Sequence, residues 1–288
     1  MKPYLICPGE RPAVAFLAQT APLVNVPLLG ETLISYWMDW LAMQRATEVV
    51  LLATDRPEQV RDIVGEGTRW GLRVDIWPEL REPKPAEISR RLNASEPSAI
   101  LTENNIFVVD HLPGFPEQRL FTSYADWFGA VLHWMPHASN SARVGFREIN
   151  PGVWRGLRTQ IAPTAQLHAP CWIGENVRVG AHAIIGPRAV LENRSVVDSA
   201  AEISDSIVGP DTFVGTLTRV HGSLAWGNTL INWRTSSCTA VPDPFLLSLL
   251  GARGGAGLLR ERWSNALAAA RMRPRELLSA MKSKLRVR

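Results

Sequence analysis

Long apolar runs are missing from this chain of 288 residues. None reaches the roughly 18 consecutive positions that a membrane-crossing helix needs, so no span is expected. The opening, MKPYLICPGERP, has no long apolar stretch ahead of a small-residue cleavage site, because Glu10 and Arg11 interrupt it. That predicts a chain without a secretory signal and a cytoplasmic location. Cysteine is scarce. Cys7, Cys171 and Cys238 are widely spaced, match no zinc pattern and cannot all pair, so reduced thiols are expected. Most of the chain also lacks a cationic stripe. From Gly251 onward ten Lys and Arg face only Glu261 and Glu276, a balance of +8 that leaves about −4 for the first 250 residues. No nucleic-acid partner is expected, since nothing in the body of the chain would neutralise a phosphate backbone.

Hydrophobic residues make up 46% of the chain, enough for a globular protein with room for two domains. An internal repeat organises the second half. From Ile161 an aliphatic residue returns every six positions, at Leu167, Ile173, Val179, Ile185, Leu191, Val197 and Ile203. After one five-residue step the period resumes at Val208, Val214, Val220 and Trp226. Glycine follows the repeat residue at Gly174, Gly180, Gly186, Gly209, Gly215 and Gly227, and a mostly small residue sits four places after it, as at Cys171, Ala183, Ala189, Ser195 and Ala201. A prism of short strands reads this way: one aliphatic residue turns inward per face, a small residue fits each corner, and glycine serves the sharp turns. Twelve such units make four stacked coils with one continuous core.

The first half has another rhythm. YLIC, EVVLLAT and LRVDIW read as strands, while 33–46 and PEQVRDIVGEGTRWG read as helices, the second ending near Gly71. AILTENNIFVVDHL adds strands before an aromatic helix, SYADWFGAVLHWM. Strands alternating with helices imply a parallel sheet. Trp37, Trp40, Trp127 and Trp134 lie at helical spacings, which predicts packing between the two halves.

An open α/β sheet followed by hexapeptide coils resembles the sugar-nucleotide pyrophosphorylases. VPLLGETLISYWMDWLAMQRATEVVLLAT is similar to that family's Pro-x-x-Gly turn, helix and second strand, and NPGVWRGLRTQIAPTAQLHAPCWIGENVRVG to the join between its domains. The resemblance implies a shortened nucleotidyltransferase-like, Rossmann-like domain over 1–150 and a left-handed parallel β-helix over 151–233. A basic amphipathic helical tail over 234–288 follows from its own spacing of Leu258, Leu259, Trp263, Leu277, Leu278, Met281 and Leu285. The reaction implied joins a nucleoside triphosphate to a sugar-1-phosphate with Mg²⁺, releases pyrophosphate, and serves glycan or polysaccharide assembly.

The phosphate loop departs from the family pattern. Reading back from Gly30, Pro8 and Gly9 fall at its paired glycines, Arg11 at its third glycine, Pro12 at its threonine, Ala13 at its arginine and Leu23 at its lysine. Pro8, Gly9, Glu10 and Arg11 are thus the nucleotide-binding candidates, and Arg11 is the catalytic candidate as the one cation left in the loop. Asp110, at the end of the strand VVD, is the candidate for the family's metal-binding aspartate; Glu103 is a second. Loss of a preorganised donor costs about 3 to 4 kcal/mol in the transition state, so the missing arginine and lysine imply weak or silent chemistry. A non-catalytic regulatory or scaffold subunit, a homo-oligomer formed through the β-helix and working beside an active paralogue, is the alternative within the family.

Hexapeptide acyltransferases are the rival class, with His168, His182 or His221 as general base. Those enzymes carry a long loop escaping the coils, and here the coils run almost without insertion. The three histidines read as surface residues and Cys171 as core. Two readings are open for the tail: contact with an anionic membrane surface or partner enzyme, and cover for the last coil, whose strands would otherwise present open edges.

Overall fold

The structure, a computed structural model, describes residues 2–95, 105–138 and 145–251. Its first part is a parallel sheet of four strands, β1 (Tyr4–Ile6), β2 (Glu48–Ala53), β3 (Arg73–Pro78) and β4 (Ile106–Val108), in the order β3-β2-β1-β4. Helices α1 (Ala15–Thr20), α2 (Leu33–Met43), α3 (Pro57–Val64) and α4 (Pro85–Ser95) lie along the chain between the strands, and α5 (Tyr124–Ala138) follows β4. β2 is buried from Val49 to Ala53 because both its faces are covered, the usual condition of a central parallel strand. Val49 and Leu51 face the main core, which includes Trp37 of α2 and Val60 of α3. Val50 and Leu52 face a smaller cluster with Ile88 and Leu92 of α4.

α4 was not expected from the sequence. Ile88 and Leu92 stand four apart in an otherwise polar segment, too little for a periodic signal. α3 is shorter than its spacing suggests. Gly65 (φ 55°) and Gly67 (φ 82°) take left-handed conformations that stop it at Val64, and Gly71 ends a separate short 3₁₀ turn over Thr68–Trp70.

The second part is a long run of mostly parallel short strands in three sheets, an arrangement compatible with a β-helix. Cys171 lies opposite Ala189 and Ala189 opposite Ser206, steps of eighteen and seventeen residues. The inward aliphatics form one core from Val153 to Leu247, and Cys171, Ala183, Ala189 and Ala201 fill their small slots within it. Corners fall at a six-residue period: Asn176, His182, Arg188, Arg194 and Ala200, then Asp205, Asp211 and Leu217, all at positive φ.

Most repeat glycines therefore do not make the turns. Gly174 and Gly180 are needed for close approach, since a Cβ would lie 2.8 Å from the Asn193 amide nitrogen and 2.6 Å from that of Ser199 in the next coil. The last repeat residue also differs from the expected one. Val208 pairs with Ala225, which faces inward, while Trp226 packs over Gly209. A second five-residue step causes the shift. The chain then turns back: Thr229–Asn232 runs antiparallel to Ser223–Trp226, Cys238–Ala240 follows it, and Leu247–Leu249 runs antiparallel to Thr212–Val214. Residues 234–251, read as the start of a helical tail, carry the last two of these strands, of which Leu247–Leu249 covers a coil edge. The remainder of the tail lies outside the described residues.

The two parts share one core. Trp154, Trp172, Val190, Ile207, Leu224 and Ile231 pair in unbroken register along one sheet, and all six are buried with the helices of the first part. Each such side chain contributes about 1.5 to 3 kcal/mol on burial, so the ladder supplies on the order of 10 kcal/mol. Phe128 of α5 stacks on Trp233 at 4.9 Å between ring centroids. The four tryptophans expected to pack between the halves lie in or against the shared core, but the ring contacts of Trp37 and Trp40 with Phe107 and of Trp134 with Tyr36 and Phe115 are all within the first part.

Candidate functional site

In an open parallel sheet a ligand crevice forms where the strand order reverses, because neighbouring loops there leave in opposite directions. Here that point lies between β1 and β4. The Cys7 amide donates to Leu52 O and the Val109 amide to Ile6 O, both at 2.9 Å, so the sheet reaches to the base of both loops. The loop after β1 carries Pro8, Gly9, Glu10 and Arg11; that after β4 carries Asp110.

The fold brings Arg11 and Asp110 to one cavity of about 270 Å³, lined also by Pro12, Ala13, Arg119, Phe121 and Thr122. A second hollow of about 520 Å³ lies on the other side of the loop, between Glu10, Arg11 and α1. Arg11 thus stands between two openings. Leu23, at the family's lysine position, is fully buried in the main core and contributes nothing to either.

A residue that no local sequence pattern marks dominates the loop. Glu82, in the connection between β3 and α4, accepts the Gly9 amide at 3.0 Å through Oε2. The Arg11 guanidinium reaches the same carboxylate, Nη2 lying 2.8 Å from Oε1 and 2.7 Å from Oε2. Arg11 Nη1 also donates to the Gly9 carbonyl at 3.3 Å. A carboxylate therefore holds the backbone donor and the cation that the loop offers to an anion. Below it the Cys7 thiol is pushed up to about 12 by burial, with the Glu82 charge adding to the effect, so it stays protonated and unreactive. Thr54 Oγ1 is buried with no hydrogen-bond partner among the described residues. A Cβ built on Gly9 would meet only ordinary contacts, 3.6 Å to that hydroxyl and 3.7 Å to Glu82. Packing alone does not require glycine there.

Asp110 is similarly engaged. One oxygen takes Arg119 and the other lies 3.0 Å from His111 Nδ1. Burial pushes its carboxyl up, but the hydrogen bonds from His111 and Arg119 and the Arg119 charge outweigh that and hold it below the usual range. Each arginine of the cavity is matched by a carboxylate, so no surplus positive charge faces the opening. The Mg²⁺ that the resemblance implies meets a donor set that does not suit it, because both Asp110 oxygens already serve a cation or an imidazole. Among the described residues no three His, Cys, Asp or Glu side chains gather to hold a metal. Glu103 lies outside the described residues.

The β-helical histidines do not converge. His168, His182 and His221 are all exposed. His182 occupies a coil corner at φ 59°, and His221 Nδ1 meets Ser204 Oγ at 3.0 Å on an open face. Cys171 is buried. Among the described residues no helix is long and apolar enough to cross a membrane.

Nothing local marks Glu82, Arg119 or Thr54 as site residues. They reach the loop through tertiary contacts, Glu82 from 71 positions away. No protein-family model matches the sequence.

Proposed function

We propose that this chain is a sugar-phosphate nucleotidyltransferase-like protein whose chemistry is silent, serving as a non-catalytic cytoplasmic subunit in sugar-nucleotide supply for glycan assembly, with a left-handed β-helix as its assembly surface. One observation carries the reading: the Glu82 carboxylate lies on Gly9 N–H and Arg11, where transfer at an α-phosphorus needs a phosphate. The reaction moves negative charge along a crowded phosphate chain and depends on cations placed to meet it. Ala13 and Leu23 provide none, and Arg11 is committed to Glu82.

Competition favours the internal anion. A tethered carboxylate acts at an effective concentration of about millimolar or more, so a free nucleotide must contribute further contacts to displace it. The order of the sheet, Asp110 beside the loop, and strand steps near eighteen residues support the kinship.

Pyrophosphate release tests the reading. The purified full chain is incubated with Mg²⁺, a panel of nucleoside triphosphates and a panel of sugar-1-phosphates. No release above the protein-free blank is expected from any pair. Sustained turnover with one pair would overturn the silent reading and name the substrates.

A further inference from the structure

The last two turns of α5, which also hold Pro136, carry two histidines four residues apart, His133 and His137, on the exposed side. Four residues is a little over one helical turn, so both side chains rise from one strip of surface. Their ring centroids lie 6.2 Å apart with the planes inclined by 38°. With a metal–nitrogen bond of about 2.0–2.1 Å, one divalent ion held between two imidazoles separates their centroids by roughly 5 to 6 Å. The observed separation is close to that span.

Three features favour a ligand here over two idle surface groups. Neither imidazole has a hydrogen bond or ion pair with a described residue, so each has a lone pair to give. Phe115 packs against both, at 5.2 Å from His133 and 5.1 Å from His137, which limits their rotamers and lowers the entropy lost on coordination. The ion would also sit at the carbonyl end of a fifteen-residue helix, where positive charge is favoured. Asp126, near the other end, is the one formally charged side chain of α5, so no Lys or Arg on the helix opposes a cation.

We infer that His133 and His137 form a two-histidine site for a divalent transition metal such as Zn²⁺, Ni²⁺ or Cu²⁺, with water in the remaining positions. It stands apart from the loop site and does not depend on the function proposed above. Imidazole nitrogen suits these ions and not Mg²⁺, and affinity should rise from Ni²⁺ to Cu²⁺. Binding requires neutral imidazoles, so it should weaken in acid.

Calorimetric titration of the tag-free full chain with ZnCl₂, NiCl₂, CuCl₂ and MgCl₂ tests this. One equivalent of Zn²⁺, Ni²⁺ or Cu²⁺ should bind more tightly than ~1 mM, with no binding of Mg²⁺. H133A and H137A should each weaken binding at least tenfold, and a triple H168A/H182A/H221A variant should bind as the parent does. Circular dichroism of each variant confirms that α5 is intact. The inference fails if H133A/H137A binds like the parent, if the triple variant loses the site, or if no ion binds below ~1 mM.

Discussion

Glu192 Oε1 lies 2.6 Å from the amide nitrogen of Leu29, and Oε2 lies 2.8 Å from that of Gly30. Asn193 Nδ2 completes the grip by donating to Gly30 O at 3.1 Å. These residues join the coils to a two-residue turn that enters α2. Leu29 at φ 51° and Gly30 at φ 83° are both left-handed, the twist a tight hairpin between Pro27–Leu28 and Glu31–Thr32 favours. For a leucine that conformation is unfavourable, and the buried carboxylate helps to hold it. Glu192→Ala leaves one buried and one part-buried amide without an acceptor and should lower stability by about 2 to 4 kcal/mol. Urea denaturation followed by tryptophan fluorescence measures this. A loss under about 0.5 kcal/mol, the scale of an ordinary surface change, would mean that the apolar ladder alone joins the two parts.

Acid should weaken the crevice through Asp110. Its carboxyl is held below the ordinary value in the folded chain, so its stabilising contribution is complete above the unfolded pKa of about 3.9 and is lost as pH falls through the folded value. Asp110→Asn lacks that contribution at every pH. The stability gap between parent and variant should be open at pH 7 and narrow below about pH 4. Denaturant midpoints at pH 7 and pH 3 report the gap, and a constant gap would mean that the contacts with Arg119 and His111 are not what lowers the pKa.

Two glycines should respond in opposite directions to the same change. A Cβ on Gly180 would press on the backbone of the next coil, so Gly180→Ala should destabilise by about 1 to 3 kcal/mol. Gly129 lies inside α5, and nothing comes within 4 Å of the place its Cβ would take. Gly129→Ala should therefore stabilise by up to ~1 kcal/mol through helix propensity. Thermal denaturation of both variants checks the pair, and stabilisation by Gly180→Ala would contradict the close approach of the coils.

The repeat was legible because one inward aliphatic residue per face is a one-dimensional signal. Its second short step was hidden: Ala225 and Trp226 are both apolar, and only the pairing with Val208 shows which faces in. The outward ladder was also visible, as Trp172, Val190, Ile207 and Leu224 stand directly before Ile173, Leu191, Val208 and Ala225. On the other faces that place more often holds Gln, Arg or Glu, as at Gln160, Arg178 and Glu202. The candidate site was half legible. The resemblance pointed to Arg11 and Asp110, which the fold places at one cavity, whereas their partners Glu82 and Arg119 depend on how other segments fold back.

Titration of the parent and of Glu82→Ala with inorganic pyrophosphate, by calorimetry at low ionic strength, tests most directly whether the chain's own carboxylate fills the anion position of the loop. The parent should show no binding up to millimolar pyrophosphate, and the variant, with Gly9 N–H and Arg11 released, should gain at least about tenfold in affinity. Micromolar binding by the parent, unchanged in the variant, would contradict the reading and return the loop to the working nucleotide sites.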